Sequence, residues 1–227
     1  MNKTQQSFMS RAKKLYELKE LERLGLTPDL EQRNMILAYM ATLLKWNQAA
    51  GLVSKKDEEN LFIRHFCDSL QPLLLFGFKK NARVLDVGAG GGFPSIPIRI
   101  FRPDLKMVLA ESNKKKAKFL EEVIAELNIE NAEVLPKRID QKTCFPEKFD
   151  YIITRGVTTL QKFSSIAKMH VTPEGRMYTF KSRDFTDELE EITLNKDKEQ
   201  VRISEIAEYD LGNQIFGLKL VSLERIN

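Results

Sequence analysis

The sequence predicts an α/β fold built on a doubly wound, mostly parallel sheet with a helical extension ahead of it, and three observations lead there. Val84, Leu85 and Val87 make the short apolar run of a strand buried on both faces, and Gly88, Gly90, Gly91 and Gly92 follow at once. Strand-like and helix-like stretches then alternate, with strands near 83–87, 107–111, 132–135 and 149–153 and helices near 95–101 and 113–127. A chain of 227 residues, 42% hydrophobic and 30% charged, is long enough for one full-sized domain with an appendage and a real core. The expected division is a helical extension over 1–80 and a sheet domain over 81–227.

In chain order, residues 4–24 read as a helix with a loose stripe of Phe8, Leu15, Leu18 and Leu21, closed by Gly25. Thr27 and Pro28 supply a cap and a first-turn proline for a second helix running to about Trp46. A third helix is expected over Leu61–Phe76, burying Ile63, Phe66, Cys67, Leu70 and Leu74. Arg64, His65 and Asp68 lie off that stripe. Their spacing lets one carboxylate orient both neighbours, which leaves a local ion pair on a helix flank and a functional set equally open.

The glycine-rich turn after the first strand reads as a ligand cradle. Glycine takes backbone angles closed to other residues and lets a ligand lie against the main chain, while the following helix turns free N–H groups toward the same place. A dinucleotide fingerprint aligned on Gly88 and Gly90 needs its third glycine at position 93, where Phe93 stands. Asp86 brings a carboxylate that suits an ammonium better than a diphosphate. Glu111 ends the second strand, about 20 residues past the cradle, where a carboxylate holds ribose hydroxyls. An adenosyl ligand with an amino-acid end fits these demands, and S-adenosylmethionine is such a ligand. Ile139 and Asp140, after the third strand, offer an apolar side chain and an acceptor for an adenine ring.

Arg155 follows the fourth strand, at the edge where open sheets hold their ligands, and Lys181 follows a fifth strand over 175–180, itself preceded by a Pro173-Glu174-Gly175 turn. The acidic stretch 184–198 reads as a helix and crossover, and strands near 200–209 and 216–224 as an antiparallel pair at the sheet edge. The lysines of NKKKAK, Asn113–Lys118, read by default as a solvated helix face, with contact to RNA as the alternative, and so close to a helix N-terminus they gain nothing from its dipole.

Charge is unevenly shared within a net +4: residues 1–181 carry an excess of nine positive charges and residues 182–227 an excess of five negative ones. A basic body steers toward a phosphate backbone, weak support on its own for a nucleic-acid partner. Two cysteines without a CxxC pair point to a reducing cytoplasm, and two histidines far from both argue against a zinc site. No stretch approaches a membrane span.

These residues together resemble the bacterial RsmG family (also called GidB), the 16S ribosomal RNA guanine-N7 methyltransferases. The resemblance runs through Lys45-Trp46-Asn47, Arg64-His65 with Asp68-Ser69, LDVGAGGGFPSIP over Leu85–Pro97, Glu111-Ser112, Arg138-Ile139-Asp140, Arg155 and Lys181. It covers roughly residues 30–182 and implies a Rossmann-like class I S-adenosylmethionine-dependent methyltransferase with a seven-stranded sheet. The cofactor-binding set it implies is Asp86, Gly88, Ala89, Gly90, Phe93, Glu111, Ser112, Ile139, Asp140 and Arg155; the catalytic set is Arg155, Lys181, His65 and Asp68, with no metal. The implied partner is 16S rRNA within the 30S subunit or an assembly intermediate, met by a cytoplasmic monomer.

Three departures stand against the family pattern. Ala50-Gly51-Leu52-Val53 replaces an Asn-Leu-Thr element, Gly156-Val157 replaces Ala and Phe after Arg155, and NQIFGLKLVSLERIN stands where a basic, proline-containing stretch is expected. Other classes remain open on the residues alone: methylation of another RNA nucleotide, a small molecule or a protein, or cofactor-dependent RNA binding without catalysis.

Overall fold

The computed structural model describes residues 3–156, 158–181, 184–195, 200–212 and 215–226; Val157, the 196–199 end of the expected acidic helix, and Asn213, Gln214 and Asn227 lie outside the described residues. Seven strands form one sheet: β1 (Arg83–Val87), β2 (Lys106–Ala110), β3 (Ala132–Leu135), β4 (Phe149–Thr154), β5 (Val171–Lys181), β6 (Val201–Leu211) and β7 (Ile215–Arg225). Their order is β3-β2-β1-β4-β5-β7-β6, the first five parallel and β7 antiparallel to both neighbours. Leu85 is paired with Val108 on one side and Ile152 on the other, so strand order reverses at β1. A crevice therefore opens beyond Val87, where the connections of β1 and β4 leave in opposite directions.

Period-two alternation in β1 sends Val84 into one core layer and Leu85 into the other. Each fully buried side chain of this kind contributes about 1.5–3 kcal/mol. Behind Val84 pack α3 (Leu30–Ala50), α4 (Ser95–Phe101) and α5 (Lys114–Glu126) through Leu43, Ile96 and Phe119. The opposite layer, with Leu85, Ile152 and Met177, is covered by α6 (Leu160–Ala167) and α7 (Thr186–Leu194) through Leu160, Phe163 and Ile192.

Several elements differ from the sequence expectation. The N-terminal helix breaks into α1 (Lys3–Leu15) and α2 (Leu18–Arg23) around Tyr16-Glu17, though Gly25 closes it at φ 75° as expected. The cap of α3 is Asp29, not Thr27: its carboxylate accepts from the Gln32 N–H at 2.8 Å while the Gln32 side chain accepts from the Asp29 N–H at 3.0 Å. This helix runs past Trp46 to Ala50, because Gln48, Ala49 and Ala50 sustain it until Gly51 turns left-handed at φ 58°. Helix α6 has no counterpart in the sequence reading; its Leu160, Phe163 and Ala167 have helical spacing, but only two turns of it. Strand β5 begins at Val171, four residues early, because Pro173-Glu174-Gly175 is a bulge within the strand: Phe149 pairs with Val171 but Tyr151 with Arg176.

The stretch Leu61–Phe76 is helical, but Leu61–Cys67 and Pro72–Phe76 are wound as wide π turns, not the regular α-helix expected. Phe66, Cys67 and Leu70 are buried as the period requires, while Ile63 and Leu74 are only partly covered. Such turns are frequent where side chains must be re-aimed. Here they bring His65 to the crevice, while the Arg64 side chain turns out to Asp57 and Asp68, just past the first turn, is buried behind the crevice wall. No helix among the described residues is long and apolar enough to cross a membrane.

Candidate active site

The turn after β1 is built to hold a ligand. Gly88, Gly90 and Gly92 take φ of 83°, 53° and 85°. At Gly92 space demands glycine as well, since a Cβ would lie 2.7 Å from Ile96 Cγ1 and 3.2 Å from the Tyr39 hydroxyl. The N–H groups of Gly88 and Ala89 both donate to the Ala110 carbonyl, at 2.9 and 3.1 Å, pinning the turn to the tip of β2. From α3 the Tyr39 hydroxyl donates to the Gly91 carbonyl at 2.6 Å. Above this turn lies a cavity of about 550 Å³, ample for a cofactor-sized ligand.

Two carboxylates flank the turn. Glu111 lines the cavity; one oxygen accepts from the Gly90 N–H at 3.0 Å and the other from the Asn113 N–H at 2.7 Å, which holds the acid in place beside the turn. Asp86 lies behind the wall, 1% exposed: Oδ2 accepts from the Ser95 hydroxyl at 2.6 Å, and Oδ1 has no hydrogen-bond partner among the described residues. Burial pushes the Asp86 pKa up to about 7, with the Glu111 charge adding to the rise against the Ser95 hydrogen bonds. A buried acceptor left over behind a glycine cradle fits a cofactor that ends in an ammonium. Gly88, Ala89, Gly90, Phe93, Ser112 and Ile139 are all on the wall. Asp140 is not: its carboxylate is turned away to the Lys142 N–H at 2.9 Å and the Thr143 hydroxyl at 3.0 Å.

Arg155 is the hub of the opposite wall. Its Nε donates to Asp68 Oδ2 at 2.7 Å, Nη1 to His65 Nδ1 at 2.8 Å and Nη2 to the Arg64 carbonyl at 2.6 Å. The guanidinium also lies 5.9 and 5.8 Å from the ring centres of Phe93 and Phe180. Arginine has only donors, so His65 Nδ1 must accept and its Nε2 carries the proton. Burial, then the Arg155 charge, drives the His65 pKa down to about 3, so the ring is neutral.

A profile of the family described as GidB, rRNA small subunit methyltransferase G, matches residues 32–214. The chain belongs to this family. Proteins named ribosomal RNA small subunit methyltransferase G are similar to it: one from Burkholderia ambifaria is 37% identical over 70% of this chain and 71% of its own, and one from Lactobacillus helveticus 34% over 71% and 69%. Among solved structures, the fold matches a SAM-dependent methyltransferase from Aquifex aeolicus (TM-score 0.53, 18% identity, 80% of this chain and 97% of that one). It also matches the glycopeptide N-methyltransferase MtfA complexed with S-adenosylmethionine (TM-score 0.59, 8% identity, 71% and 94%).

In this member of the methyltransferase G family, Lys181 does not reach the cavity wall. Its Nζ donates to Glu188 at 2.6 Å and to the Thr158 carbonyl at 3.2 Å, and the same Glu188 oxygen accepts from the Leu160 N–H at 2.6 Å. Lys181 is thereby a clamp on Thr158 and, through Glu188, on Leu160; Thr158 itself lines the cavity. Lys181→Met is expected to cost roughly 1–3 kcal/mol, a few degrees of Tm, with faster amide exchange at Thr158 and Leu160. A drop in rate with Tm and exchange unchanged would instead put Lys181 on the substrate. Sequence reasoning missed Glu188, Tyr209, whose hydroxyl donates to Asp68 at 2.6 Å, and Lys162, a rim residue on the unassigned α6. Only Lys162 had a usable signal, the helical spacing around it.

Proposed function

We propose that this chain transfers the methyl group of S-adenosylmethionine to N7 of a guanine in 16S rRNA, in the 530 loop, by in-line attack without a strong general base. In this reading residues 81–227 are the catalytic domain and residues 1–80 an extension completing the site. The enzyme acts as a cytoplasmic monomer on the 30S subunit or an assembly intermediate.

One observation carries the reading: among the described residues the cavity wall offers no free base. His65 spends its only acceptor nitrogen on Arg155, and Glu111, pinned by a backbone N–H on each oxygen, has its remaining lone pairs assigned in this reading to the ribose hydroxyls. Guanine N7 needs none, because its lone pair attacks without first losing a proton. Bound S-adenosylmethionine supplies the methyl on a sulfonium, a good leaving group. The protein's part is alignment and exclusion of water, and holding the reacting atoms in line lowers the barrier by about 7 kcal/mol at best. The backbone at Gly88–Gly90, Glu111 and Ile139 hold the nucleoside, and Asp86 is the charge complement of the ammonium. Arg155 keeps two of its five N–H groups free of the three protein bonds above, and these orient the base or an adjacent phosphate.

Lys116, Lys137, Arg138 and Lys162 stand around the cavity mouth, none in a salt bridge among the described residues. They suit the phosphates beside an unstacked base. Alanine at each is expected to reduce the slope of log K against log salt for RNA binding by about 0.7 for every phosphate no longer neutralised, read by filter binding. An unchanged slope in the fourfold variant would remove the rim from the RNA interface.

The function itself is tested by transfer of labelled methyl from S-adenosylmethionine to 16S rRNA and 30S particles lacking native modifications, with mapping of the product. Label at guanine N7 in the 530 loop is expected. Label at another nucleotide, or on a small molecule alone, would overturn the assigned substrate.

A further inference from the structure

We propose that Tyr209, on β6 of the C-terminal hairpin, is a positioning residue for Arg155 and acts through Asp68. Asp68 is 5% exposed and divides its carboxylate between two donors from distant parts of the chain: Oδ1 takes the Tyr209 hydroxyl at 2.6 Å and Oδ2 takes Arg155 Nε at 2.7 Å. A carboxylate with one partner is free to turn about its last torsion; with two on opposite oxygens it is fixed, and so is the plane of the guanidinium bonded to it. Arg155 in turn fixes His65 through Nδ1, so orientation passes from Tyr209 to Asp68, to Arg155 and to His65 without a gap. Tyr209 itself is absent from the cavity wall.

The placement of the hydroxyl supports a dedicated role. Tyr209 pairs with Leu218 in the hairpin, and the register shifts between Tyr209 and Leu211, a bulge just beyond the tyrosine. Burial and the facing Asp68 charge raise its pKa well above the usual phenol range, so the hydroxyl remains a donor throughout the working pH. The C-terminal hairpin, remote from the glycine cradle in sequence, is thus part of what aims Arg155 at the substrate. The catalytic consequence rests on the methyl transfer proposed above; the effect on Arg155 does not.

The test is Tyr209→Phe, which keeps the packed ring and removes only the donor. In 15N-arginine-labelled protein, with the Arg155 Nε–H signal assigned by its loss in R155K, exchange of that proton is expected to be about tenfold faster in Y209F, the equivalent of one hydrogen bond removed. Single-turnover methylation at saturating cofactor and RNA is expected to fall by about the same factor, with cofactor Kd unchanged, and Y209F/D68A to be no slower than D68A. Unchanged Arg155 exchange in Y209F, or additive losses in the double variant, would overturn the proposal. If wild-type protein methylates no small-subunit RNA while exchange still accelerates in Y209F, the assigned reaction fails and the positioning of Arg155 by Tyr209 stands.

Discussion

Arg155→Lys is expected to lower single-turnover methyl transfer about a hundredfold, the usual cost of misplacing reacting groups by around an ångström. The charge survives this change; the geometry does not. Arg155 reaches Asp68, His65 and the Arg64 carbonyl in three directions from one planar fork, and a single ammonium cannot satisfy all three while keeping donors for the substrate. Arg155→Ala goes further. It strips the charged partner from Asp68, whose side chain is 7% exposed and keeps only the Tyr209 hydroxyl, and breaking a buried ion pair from one side costs about 3–5 kcal/mol. The alanine variant is therefore expected to lose stability as well as rate, and the lysine variant chiefly rate. A spectroscopic sign accompanies both kinetics. Arg155 is the second cause of the low His65 pKa, so in R155A that pKa moves up from about 3 yet stays below 6.5, because burial, the larger cause, remains. Histidine NMR titration reads this directly, and wild-type methylation rates in R155K would remove Arg155 from the catalytic centre.

Asp86→Ala is expected to weaken S-adenosylmethionine binding by about 2–5 kcal/mol, roughly thirtyfold to several thousandfold in Kd, because on the proposed reading it removes the buried carboxylate that complements the ammonium. Wild-type protein shows the same dependence through pH. With the Asp86 pKa pushed up to about 7, the carboxylate gains charge as pH rises through neutrality, so affinity is expected to rise with pH there. Stability of the free protein runs the opposite way. A carboxyl whose folded pKa lies above its unfolded value of 3.8 favours folding at low pH, and that contribution disappears as pH climbs to about 7. By pH 8 the loss is roughly 4 kcal/mol, which cofactor binding offsets. His65, with a folded pKa below its unfolded 6.5, works in the opposite sense, losing stability as pH falls through 6.5 toward 3, so a loss of stability with rising pH is the sign of Asp86. The shift in Tm on adding cofactor is expected to be larger at pH 8 than at pH 6.5, by scanning calorimetry. A Kd that does not change with pH would separate Asp86 from the ammonium.

What the sequence determined by itself is what depends on neighbours along the chain. The apolar run Val84–Val87, the glycines after it and the acid at Glu111 specify a strand, a left-handed turn and a second strand tip, and the sheet order places all three at the switch point. Strand and helix alternation, the antiparallel edge pair and the family motifs are legible for the same reason. Tertiary structure alone decided which side chains meet. Arg155 finds Asp68 across 87 residues and His65 across 90, and Asp68 finds Tyr209 across 141, separations over which no periodicity carries a signal. Lys181 shows the converse: its place at a strand tip was readable, but Glu188, on a helix of the next layer, takes its charge away from the cavity. Asp140 likewise turns to its own loop, where the Lys142 N–H and the Thr143 hydroxyl both donate to its carboxylate. Local pattern settles the backbone, where each residue's conformation follows from its neighbours. The partner of a charged side chain is settled by which groups the packed layers bring within about 3 Å of it, and by the cost of leaving any of them buried and unpaired.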